Sequence, residues 1–89
     1  MESYTNPMVI QVWVTNNKLA TDTEESIRLE QGYLDYLNSL PNVQDQTDIN
    51  GMDQIAQIHQ RLELLQSDLS GYLRNVKESY KEILKRGIL

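Results

Sequence analysis

Five apolar residues of this chain, Ile55, Leu62, Leu69, Val76 and Ile83, recur at intervals of seven. An α-helix drifts only slightly against a seven-residue repeat, so these side chains form one continuous seam along a helix. A seam of that length needs a second helix to cover it, because an amphipathic helix cannot bury its own face. The chain must therefore pack helix on helix.

The rest of the sequence supplies that second helix. Residues 52–86 carry Ile58, Leu65 and Tyr72 on one flank of the seam and Leu73 and Tyr80 on the other. Gly87, directly after Lys85 and Arg86, is a stop signal, and 87–89 form a C-terminal cap with Ile88 placed for an apolar contact across it. Upstream, Asn6 as N-cap and Pro7 in the first turn open a helix over 7–40, leaving 1–6 as a tail. Within it Val12, Leu19, Tyr33 and Leu40 share one heptad position, with Ser26 as a gap. Trp13, Ala20, Ile27 and Leu34 share the adjacent one, and Leu37 strengthens the last turns. Asn16, Thr23 and Glu30 interrupt the stripe. Residues 41–51 begin with proline, end in Asn50-Gly51 and read as a connecting loop, in which Asp48 or Asn50 can cap the second helix.

Both arms span roughly 50 Å at 1.5 Å per residue. Folded back on each other, paired residue numbers sum to about 92, which sets Leu40 near Met52, Leu37 near Ile55, Ile27 near Leu65, Leu19 near Leu73 and Val12 near Tyr80. The expected fold is all-α, an antiparallel two-helix coiled-coil hairpin. One segment competes with this: Val9, Ile10, Val12, Trp13, Val14 and Thr15 are β-branched or aromatic and would suit a strand. A lone strand has no second strand here to pair with, so helix is the better expectation.

Size and composition narrow the function. At 89 residues a single core is thin; with no cysteine, disulfides are excluded as reinforcement, and with His59 the only histidine a metal nearly so. Not all of Val9, Ile10, Trp13, Val14, Tyr36, Ile58 and Tyr72 can face one seam, and surplus apolar surface on a small hairpin marks an interaction face. Completion by oligomerisation or by the helices of other protein subunits is expected. The residues expected to do the packing and the partner binding are Val12, Trp13, Leu19, Ile27, Tyr33, Leu34, Leu37, Ile55, Ile58, Leu62, Leu65, Leu69, Tyr72, Val76, Tyr80 and Ile83.

Catalytic chemistry finds no footing. There is no thiol nucleophile and no serine elbow, and the four glycines are isolated, so no phosphate-cradling loop exists. His59 with Glu63 supplies at most half a metal site, and His59 fits the seam flank of Leu73 and Tyr80. Asp22 and Glu25 read as a solvated acidic turn. No cofactor is expected.

The net charge of −5 disfavours nucleic acid as a partner. Residues 74–89 are nonetheless basic, with five bases against two acids, which suits the negative end of a helix dipole. No apolar run is long enough to span a bilayer, and the start lacks the basic residues of a cleavable leader. A cytoplasmic location, or export without a leader, is expected.

The sequence thus points to a non-enzymatic structural or adaptor subunit. In length, acidity and lack of cysteine it resembles the small helical-hairpin proteins of type VII and type III secretion, which implies a secreted component or a chaperone as the alternative. The type VII Trp-x-Gly turn is missing, since Trp13 lies in the first arm and is followed by Val14-Thr15, and Tyr80 leads to Leu84 in place of the acidic residue of that family's tail. A third reading is an acidic inhibitor of a nucleic-acid enzyme, using Asp22, Glu24, Glu25, Asp45, Asp48 and Asp53.

Overall fold

The computed structural model describes residues 1–89. Helix α1 runs Asn6–Ser39, a single helical turn α2 covers Pro41–Gln44, and α3 runs Ile49–Arg86. Helices α1 and α3 lie side by side and antiparallel, making a rod of 59 × 18 × 14 Å. The hairpin expected from the heptads is the fold, and the strand-like segment 8–15 lies inside α1.

The helix ends explain the boundaries. Thr5, one residue before the expected cap, accepts the Met8 N–H on its hydroxyl at 3.3 Å, so Asn6 already belongs to the helix. Leu40 leaves helical geometry ahead of Pro41, as a residue before proline prefers. The segment 41–51 is only partly loop. Pro41 starts α2, and α3 begins at Ile49, capped by Asp48, whose carboxylate accepts the Gly51 N–H at 2.9 Å. Asn50-Gly51 is therefore helical and not a turn. Gly51 stands there because Val43 folds back onto it: a Cβ would meet a Val43 methyl carbon and an Asp48 carboxylate oxygen at 2.7 Å each. At the far end Gly87 adopts φ +64°, and its N–H donates to the Ile83 and Leu84 carbonyls, while Ile88 N–H also returns to Ile83.

The register is the expected one. Trp13 stacks on Tyr80, Asn75 donates to Asn16 at 3.1 Å, Arg61 reaches Glu30, and Arg86 reaches Asn6, all at residue sums of about 92. The face that α1 turns inward keeps the expected column of Trp13, Ala20, Ile27 and Leu34, with Leu37, but its second column is not that of Val12, Leu19 and Tyr33. Its covered residues are Val9, Trp13, Asn16, Ala20, Thr23, Ile27, Glu30, Leu34 and Leu37, stepping alternately by four and three. Asn16, Thr23 and Glu30 thus belong to the seam and do not interrupt it. Helix α3 meets them with Ile55, Leu62, Leu69, Val76 and Ile83, and with the second column Gly51, Ile58, Leu65, Tyr72, Ser79 and Arg86.

Two regions hold the helices together. Toward the loop, Leu34, Leu37, Ile58 and Leu62 form a buried cluster, with Ile27, Leu40 and Ile55 packed against it. Toward the termini, Val9, Ser79 and Ile83 are almost fully buried beneath the Trp13–Tyr80 stack. Small faces large along the register: Ala20 lies level with Tyr72, and Ser79 with Trp13. The buried hydroxyls are satisfied within their own helices, Thr23 donating to the Leu19 carbonyl at 2.7 Å and Ser79 to that of Asn75 at 2.7 Å. No buried side-chain polar atom lacks a partner.

Candidate interaction surface

The residues read from the sequence as packing groups fall into three sets. Leu34, Leu37, Ile58, Leu62 and Ile83 are buried. Val12, Trp13, Ile27, Ile55, Leu65, Leu69, Tyr72 and Val76 are half-buried along the seam or its rim. Leu19, Tyr33 and Tyr80 are exposed, as is Leu73. Leu19 and Tyr33 thus lie beside the seam and not in it, because the nine-residue column beginning at Val9 takes the inner face. The expected side-by-side packing of Leu19 on Leu73 gives way to burial of Ala20 and Thr23.

Sequence reading missed Val9, Thr23, Val43 and Ser79 as core residues. The signal was present in part. Continuing the Ile58, Leu65, Tyr72 column by sevens gives Ser79 and Arg86, and stepping back from Leu37 by sevens gives Glu30, Thr23, Asn16 and Val9. Their polar side chains concealed a seam defined by position.

What remains outside is a second heptad stripe on α1. Met8, Val12, Thr15, Leu19, Asp22, Ser26, Leu29, Tyr33 and Tyr36 also step by four and three, on the face adjoining the seam. Met8, Leu19, Leu29, Tyr33 and Tyr36 are exposed, Leu29 and Tyr36 by about 60 % each. Tyr33 and Tyr36 lie nearly parallel, with ring centroids 6.2 Å apart, and Tyr33 donates to Gln54 across the hairpin at 3.1 Å. Apolar residues occupy both ends of this stripe and polar ones its centre. Beside that centre an open recess is lined by Ser26, Glu30, Arg61, Leu64 and Leu65. There Arg61 donates from two nitrogens to both Glu30 oxygens, each bond 3.1 Å, and Leu64 is 67 % exposed. On the opposite edge, near the termini, Val14, Leu73, Tyr80 and Leu84 are also exposed.

Several charged groups are engaged locally. Lys18 pairs with Asp22, Arg28 with Glu25, and Asp53 accepts from Gln57. The Arg28 guanidinium, bonded to Glu25, holds that carboxyl below its ordinary range. The Arg86 guanidinium closes the open end: it donates to Glu82 at 2.7 Å, to the Tyr4 and Met1 carbonyls at 2.7 and 2.8 Å, and to Asn6 at 3.0 Å. That bond lowers the Glu82 pKa against the opposing effect of burial. His59 is exposed, and no three His, Asp or Glu side chains gather into a metal-holding set. No helix is long and apolar enough to cross a membrane.

No protein-family model matches the chain, nor does any curated protein or solved structure show significant similarity to it. The class that the fold defines is the all-α helical hairpin.

Proposed function

We propose that this chain is a non-enzymatic α-helical interaction protein, a small structural or adaptor subunit that binds through coiled-coil packing. The observation that carries this is the second heptad stripe of α1, left in solvent after the hairpin has closed its own seam. An exposed apolar stripe rimmed by polar groups costs solubility and is characteristic of surfaces that other proteins cover. Four of the six acids offered for mimicry of a nucleic acid, Asp22, Glu25, Asp48 and Asp53, are engaged in ion pairs, a cap and a local hydrogen bond, leaving only Glu24 and Asp45 without such a partner, which favours this reading. A secretion-system hairpin would differ in setting but not in the chemistry of binding.

The test is the state of the tagged chain in cells of its own source, by native separation and cross-linking. The unaltered chain is expected in an assembly larger than its own 10.3 kDa. The variant Leu29→Glu/Tyr36→Glu, changed only at exposed positions, is expected to leave that assembly while keeping its helicity. A folded chain that runs alone with or without the substitutions would overturn the reading.

A further inference from the structure

We propose that the occupant of the α1 stripe is a second copy of this chain, laid antiparallel about a twofold axis near Glu24. This rests on the interaction-protein reading above and names the partner. Three observations favour it.

The stripe is close to a palindrome in polarity. Turned about residue 24, Val12 meets Tyr36 of the second copy, Leu19 meets Leu29, and Asp22 meets Ser26, while Met8 falls at the helix end beside Leu40. Only Thr15 against Tyr33 mixes character, and a threonine methyl packs well on a tyrosine ring. Apolar thus falls on apolar at both ends, and polar on polar at the axis.

Charge selects the direction. Residues 20–72, the loop half of the rod, carry ten acids and two bases, while the two terminal segments together carry six bases and three acids. Antiparallel rods set the basic end of each against the acidic half of the other; parallel rods would align like with like. Asp22 of the second copy, at the level of Ser26, falls beside Arg61 in the recess.

Area is sufficient. One side of a rod 59 Å long and 14 Å wide offers roughly 800 Å², the amount each partner contributes to a standard stable interface.

The absence of native cysteine makes the arrangement directly testable. Leu19→Cys and Leu29→Cys are prepared separately, oxidised alone and as a mixture, and sized by light scattering before oxidation. The mixture is expected to give a disulfide-linked pair and neither variant alone to do so, because positions 19 and 19 of an antiparallel pair lie roughly 15 Å apart along the axis. Self-linking of each single variant would overturn the antiparallel arrangement in favour of a parallel one. A folded chain of single mass that links in no combination would overturn self-pairing altogether. If that monomer still enters a larger assembly in its source, the stripe serves a different protein and the functional proposal stands; if it runs alone there too, both fall.

Discussion

The loop end and the terminal end of this hairpin hold the same two helices by different means. At the loop end, Leu34, Leu37, Ile58 and Leu62 close an apolar cluster over a tight glycine contact. At the terminal end, the buried Val9 and Ile83 sit under an aromatic stack and a single guanidinium that gathers four acceptors. Apolar packing contains no titrating group, whereas one of the four acceptors in the polar closure is an ionised carboxylate. A two-helix rod too thin for one continuous core is thus stabilised as two separate fasteners, joined by a middle stretch where Asn16, Thr23 and Glu30 dilute the seam.

Removing the loop fastener should cost most. Ile58 is fully buried, and Ile58→Ala is expected to lose about 2–5 kcal/mol, read by chemical denaturation, with partial unfolding at ambient temperature. A loss below about 1 kcal/mol would mean the cluster is not the anchor. Gly51→Ala tests the same end by overfilling it. Alanine favours the helix by about 1 kcal/mol, but its Cβ would sit 2.7 Å from Val43, so a net loss of about 1–2 kcal/mol is expected. Gly71→Ala is the control, since nothing lies within 4 Å of a Cβ there: it should raise stability by up to about 1 kcal/mol.

The terminal fastener should respond to acid. Because Arg86 lowers the Glu82 pKa from its ordinary 4.5, the folded state binds that proton less readily than the unfolded chain. The contribution is therefore complete above about 4.5 and is lost as pH falls through the lowered value. Melting temperature followed from neutral to acid pH should show the native chain converging on Glu82→Gln at the acid end. Curves that stay parallel throughout would remove the carboxylate from the closure.

The sequence carried much of this arrangement, and the failures have one cause. Helix α3 was legible because apolar residues mark both of its seam columns from Ile55 to Val76. The register was legible because two matched arms around a short connection have few ways to align. Helix α1 was misread because two of its faces repeat every seven residues. The outer one, with Leu19 and Tyr33, is as apolar as the inner: it spends three positions on Thr15, Asp22 and Ser26, and the inner one three on Asn16, Thr23 and Glu30. Hydrophobicity alone does not rank the two faces. Only the level-by-level fit against α3, Ala20 to Tyr72 and Trp13 to Ser79, decides the matter, and that is a property of shape. Gly51 reads from the sequence as the end of the connecting loop because the approach of Val43 is a tertiary contact.

The separation of the fasteners along the chain has a kinetic consequence. Tyr33 and Gln54, beside the loop cluster, are 21 residues apart, whereas Arg86 and Tyr4 are 82 apart. The entropy of closing a loop rises with its length, so the near contacts are the least costly to form from the unfolded chain, and each level then shortens the effective loop for the next. The hairpin should zip from Leu37 and Ile55 outward, with Φ-values high at Ile58 and near zero at Ile83. Unzipping runs the other way, so the terminal end opens first and most often, and its carboxylate makes that opening a function of acidity.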